Sequence, residues 1–104
     1  HAEAMELYRE AIKMQPDLWT AHFGLGDELA VAGQFSEAEK EYAQVIRWQP
    51  DLALAHLNRG MMLVRLAKSG EAAQEFQETL RLEPGNRTAL EYLKQIATSK
   101  DQRQ

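Results

Sequence analysis

Two stretches decide the fold: AHFGLGDELAVAGQFSEAEKEYAQVIRWQP at 21–50 and AHLNRGMMLVRLAKSGEAAQEFQETLRLEP at 55–84. Laid over one another at an offset of 34 residues, they agree in type at Ala21 and Ala55, His22 and His56, Gly26 and Gly60, Leu29 and Leu63, and Ala38 and Ala72. The agreement runs outward in both directions. Glu3, Glu37 and Glu71 share a column, as do Tyr8, Tyr42 and Phe76, and Ile12, Ile46 and Leu80. The three prolines, Pro16, Pro50 and Pro84, stand 34 residues apart. Self-similarity at a fixed period of a few tens of residues marks a chain of stacked supersecondary units.

Each unit reads as two helices. From Leu18 to Ala32 the apolar positions Leu18, Ala21, Leu25, Leu29 and Ala32 advance by threes and fours, the spacing of one helix face. Gly33 supplies the left-handed residue that commonly follows a helix end. Ser36 with Glu39 has the form of a capping box for a second helix. That helix is expected to bury Ala38, Tyr42, Val45 and Ile46, and to stop near Gln49 because Pro50 disfavours helical dihedrals before it. The pattern predicts a second pair over Leu52–Leu66 and Ser69–Leu82. Gly70 comes three residues later than the repeat of Gly33 would, so that turn is expected to be built differently. Asn86 can cap a last helix from Arg87 to about Thr98, with Ala89, Leu90, Leu93 and Ile96 on its apolar face. Ala2–Gln15 reads as a second-type helix without its first-type partner.

Gly26 and Gly60 fall in mid-helix, where glycine costs about 1 kcal/mol relative to alanine. They are expected where another backbone approaches, supplied by Ala38 and Ala72, with Tyr42 or Phe76 filling the adjacent gap.

Composition narrows the function classes. Sixteen acidic against 12 basic residues leave a net charge of −4, which argues against nucleic acid as a partner. With no cysteine, disulfides, thiolate catalysis and cysteine-based zinc sites are excluded. No wholly apolar run exceeds four residues, as at Met61–Val64, so membrane insertion is not expected. The chain opens on His1 with no signal-peptide pattern, which suggests a fragment.

These columns resemble the tetratricopeptide repeat, a helix–turn–helix unit. The residues that carry the resemblance are His22, Leu25-Gly26, Leu29, Ala38, Tyr42, Val45 and Pro50 in 19–52. In 53–86 they are His56, Arg59-Gly60, Leu63, Ala72, Phe76, Thr79 and Pro84. Histidine in the first column and Arg59 in place of leucine depart from the family pattern. The phase divides the chain into a truncated second half-unit at 1–18, complete units at 19–52 and 53–86, and a capping helix with a short tail at 87–104. The resemblance implies an all-α fold, a right-handed superhelix of about six antiparallel helices whose concave wall is lined by the first helix of each unit.

By that resemblance, the concave wall carries Thr20, Phe23, Asp27, Leu54, Leu57, Asn58, Met61, Arg65 and Tyr92. The same inward-facing set includes Gly24, Ala30, Val31 and Val64, with Thr88, Glu91 and Gln95 from the capping helix. Family members that grip a C-terminal carboxylate use lysine, arginine and asparagine at set groove positions. Asn58 matches one of these, but Phe23 stands in the lysine place and Asp27 in the place of a second asparagine, which counts against such a clamp. What the resemblance implies is a mildly apolar trough that suits a protein or peptide partner, no cofactor, and no catalysis.

Other constellations carry less. His22 and His56 lie a full repeat apart with no metal-ligand spacing, so they read as packing or surface residues. Gly24-Leu25-Gly26 lies inside a helix and is no phosphate loop. Glu37, Glu39 and Glu41 beside Lys40 read as a solvated face. Met5, Tyr8 and Ile12, on a helix lacking its partner, are expected to be partly exposed and to support self-association. The alternatives to a peptide-binding module are thus a structural or oligomerisation segment of a larger protein, or an accessory array beside an enzyme encoded elsewhere.

Overall fold

The computed structural model describes the backbone of residues 2–102 and the side chains of 2–99. Its described elements are six helices: α1 (Ala2–Met14), α2 (Trp19–Val31), α3 (Phe35–Trp48), α4 (Ala53–Arg65), α5 (Ser69–Leu82) and α6 (Arg87–Gln102). Each helix packs on the next in sequence, and the molecule is drawn out to 49 × 26 × 18 Å. A stack whose elements touch chiefly their neighbours is a solenoid.

The turns repeat more faithfully than the residues that form them. After α2, Gly33 sits at φ 80. Its N–H donates to the Ala30 carbonyl (3.0 Å), and that of Gln34 to Leu29 (2.9 Å), the paired bonds of a Schellman cap. After α4, Ala67 takes the same left-handed place at φ 60. There Ala67 donates to Val64 (3.0 Å) and Lys68 to Leu63 (2.8 Å). The expectation of a different second turn is therefore wrong. Gly70 lies inside the first turn of α5 with open space around it, and alanine bears the left-handed conformation instead.

The caps also differ from expectation. Gln34, not Ser36, precedes α3, and it makes no side-chain capping bond. Asn86 does cap α6, its Oδ1 accepting from the Ala89 N–H at 3.0 Å. Gln49 and Glu83, each followed by proline, leave helical dihedrals at φ −132 and −135, which closes α3 and α5.

One core cluster joins Leu25, Leu29, Ala38, Tyr42 and Met62; the other joins Leu57, Leu63, Ala72, Phe76 and Ala89. Over the mid-helix glycines lies an aromatic ring rather than a backbone. A Cβ on Gly26 would stand 2.8 Å from Tyr42 Cε1, and one on Gly60 would stand 2.7 Å from Phe76 Cε1. Ile46 is only half-buried, whereas Val45 and Thr79 are sealed. Leu90, assigned to the apolar face of α6, is 49% exposed. It occupies the column of His22 and His56, and the second-type helix that covers those residues has no counterpart after α6 among the described residues.

Candidate functional site

The residues expected on the concave wall lie on α2, α4 and α6. Thr20 and Asp27 on α2, and Leu54 and Arg65 on α4, are exposed; Phe23, Asn58, Met61 and Tyr92 are half-buried. Leu57 does not belong with them. It is 8% exposed and packs in the second core cluster, because its helical phase turns it toward α5 and α6.

The row is held from behind by aromatic rings. The Tyr42 hydroxyl donates to Asp27 Oδ1 at 2.5 Å, and Asn58 Nδ2 stands 3.5 Å from the same oxygen. Phe23 meets Tyr42 edge to face at 5.7 Å, and Tyr92 stacks on Phe76 at 4.8 Å. The ring of Tyr8 fills the space a side chain at Gly24 would need. Partial burial raises the Asp27 carboxyl above the usual aspartate range, the Tyr42 bond opposes that rise, and the neighbouring Glu28 charge adds to it. Burial, then the bond to Asp27, push the Tyr42 phenol upward. Arg65 is not on Asp27; its guanidinium lies over the Phe35 ring, 5.3 Å from the centroid.

Behind this wall, each histidine forms a buried clip. His22 Nε2 donates to the Pro16 carbonyl at 2.8 Å, and Nδ1 lies 2.6 Å from Glu41 Oε1. His56 repeats this with Pro50 (2.8 Å) and Glu75 (2.7 Å). A carbonyl only accepts, so Nε2 is the donor to it in each clip. Arg59 joins the second clip, bonding Glu75 and reaching Glu39 Oε2 at 3.4 Å. Burial works against the Arg59 charge, but Glu75 and Glu39 more than offset it and raise its pKa. Glu39 and Glu41 are therefore working members of the interior and no solvated face. Their partners lie 19 and 20 residues away, a spacing with no local signature.

Met5, Tyr8 and Ile12 pack half-buried against the first cluster. The most exposed large apolar residues of α1 are Leu7 (70%) and Met14 (86%). A shallow depression on α6 is lined by Glu91, Lys94, Gln95, Thr98 and Ser99; Glu91 and Gln95 are among the residues expected on the concave face. Among the described residues no cluster of three His, Asp or Glu could hold a metal ion, and no helix is long and apolar enough to cross a membrane.

A model of the tetratricopeptide repeat matches residues 1–59. The chain belongs to the tetratricopeptide repeat family. Solved tetratricopeptide structures superpose on it closely. The first TPR of Spaghetti (RPAP3), bound to the HSP90 peptide SRMEEVD, matches with a TM-score of 0.91 at 22% identity, over 96% of this chain and 79% of that one. The second TPR domain of human RPAP3, in complex with the HSP70 peptide SGPTIEEVD, gives 0.83 at 29% identity over 89% and 78%. The Arabidopsis OM64 TPR domain gives 0.85 at 27% over 91% and 78%. A comparison with curated proteins finds no match. The tetratricopeptide superhelix of this chain is thus shared with domains solved as peptide complexes.

Proposed function

We propose that the chain is a non-catalytic interaction module whose concave wall, formed by α2, α4 and α6, binds an extended or helical peptide with apolar anchors. The observation that carries this reading is a contrast in burial. Ala38, Tyr42, Val45, Phe76 and Thr79, which face the neighbouring helices, are at most 2% exposed. Phe23, Leu54, Met61 and Tyr92 on the inner row retain open apolar surface beside the fixed polar groups Asp27 and Asn58. Apolar pockets with a few oriented polar groups are what peptide grooves use. The peptide complexes of related domains support the class of partner.

Acidic C-terminal peptides of the kind bound by those relatives do not suit this wall. Phe23 and Asp27 put a ring and a carboxylate where the family's carboxylate grip uses a lysine and an asparagine.

The test is a spectrum of labelled chain titrated with peptides recovered by display selection. Shifts should gather on α2, α4 and α6, and a Leu54→Glu, Arg65→Glu double variant should lose binding while keeping its helical content. Shifts confined to the outer faces of α3 and α5 would sink the reading. Leu57→Glu is unsuitable as a probe, since it would put a charge in the core.

A second reading has its own observation: Leu7 and Met14, both largely exposed, extend along α1 and could meet a second copy. In that case Leu7→Glu should lower the mass seen in sedimentation and leave peptide binding alone. A strict monomer at high concentration refutes it.

A further inference from the structure

Asp27 is the one fixed polar group of the inner row whose chemistry points to a particular ligand. Tyr42, itself 2% exposed, holds the carboxylate by Oδ1, and Asn58 approaches the same oxygen. Neither donor reaches Oδ2. The ion pairs among the described residues join Lys13, Arg59 and Arg81, and the histidines, to other carboxylates; none includes Asp27. The charge that acts on it most is Glu28, of like sign. Arg65, the cation of the same wall, is turned onto the Phe35 ring. The surrounding unit deepens the effect: residues 19–52 hold six acidic and two basic side chains.

A carboxylate held by neutral donors and, among the described residues, paired with no cation is stabilised by a cation brought to it. Its orientation is already set by Tyr42, so a ligand need not order it. Apolar surface lies on both sides, from Phe23 one turn earlier on α2 and Met61 on α4.

We infer that the groove selects a peptide presenting a lysine or arginine side chain to Asp27, flanked by apolar residues that rest on Phe23 and Met61. This rests on the groove reading above and names the chemistry of its partner. The new bond is a charge-assisted hydrogen bond to Oδ2 that the bound peptide covers, and removal of one partner weakens binding by about tenfold or more. An acidic anchor would instead meet like charge and be rejected.

The experiment selects random peptides displayed on phage against three forms of the full chain: wild type, Asp27→Asn, and the Leu54→Glu, Arg65→Glu variant. Asp27→Asn keeps an acceptor for Tyr42, and a cooperative thermal melt with wild-type helical content establishes that it is folded. The expected result is enrichment of apolar peptides with a lysine or arginine by wild type, and of apolar peptides without that preference by Asp27→Asn. Replacing the basic residue of a selected peptide by norleucine should weaken wild type at least tenfold and leave Asp27→Asn nearly unaffected. Enriched peptides without a basic preference, or a preference that survives Asp27→Asn, overturn this inference and leave the groove standing. If wild type enriches nothing beyond the doubly charged groove variant, the groove reading itself falls, and this inference with it.

Discussion

Ala67 is an alanine in a glycine's place, and replacing it should stabilise the protein. Its φ of 60 puts its Cβ against the following carbonyl, a conformation that costs an L-residue about 1–2 kcal/mol. Glycine removes that cost but adds about 0.4–1 kcal/mol of unfolded-state entropy. Ala67 is exposed and its cap bonds are made by the backbone, so no packing contact complicates the exchange. The net expectation for Ala67→Gly is a gain of about 0.5–1 kcal/mol, or about 3–6 °C in Tm for a domain of this size. Gly33→Ala provides the mirror experiment. Nothing lies within 4 Å of the Cβ it would acquire, so its cost is also purely conformational and should be of similar size. Urea titrations followed by far-ultraviolet circular dichroism measure both, with the slope expected to stay constant. A loss on Ala67→Gly, or no loss on Gly33→Ala, would refute the equivalence of the two turns.

Three further outcomes follow from the same geometry. Gly70→Ala, in open space within the first turn of α5, should stabilise by about 0.5–1 kcal/mol through helix propensity alone, measurable in the same titration. Glu75→Ala strands both His56 and Arg59, and should cost about 2–3 kcal/mol, below the range for fully buried pairs because the Arg59 side chain remains 26% exposed. Asp27 sets a pH dependence: its carboxyl is raised, so between the ordinary aspartate value and its own the native state holds a proton that the unfolded chain has lost. Its contribution to stability therefore declines as pH rises through that window, and the stability difference between Asp27→Asn and wild type should grow over the same interval and then level off. A difference independent of pH in paired denaturation series would contradict this.

Much of the fold was legible because a 34-residue period is written in local choices. Helix-spaced leucines, a proline after each second helix, and Asn86 before the last one all act within a turn or two of chain. The proposed inner row came from the resemblance to the family, which assigns its positions by repeat column and not by what each side chain meets. Leu57 escaped because apolarity alone cannot say whether a residue at the edge of a face meets solvent or the next helix. The histidine clips escaped for a different reason. His22 with Glu41 and His56 with Glu75 cross between helices, so their separation in sequence depends on how the helices dock.

By itself, the sequence determined the number of helices, their limits, their order and the period at which they stack, since these depend on propensity and on the periodicity of apolar residues. The tertiary structure decided the rest. It placed rings over Gly26 and Gly60, gave Ala67 a glycine's conformation, and closed acidic residues into buried clips. It also left Asp27 without a cation among the described residues. These outcomes arise only when two helices approach, because a side chain's partner is then set by helix–helix distance and angle rather than by position along the chain.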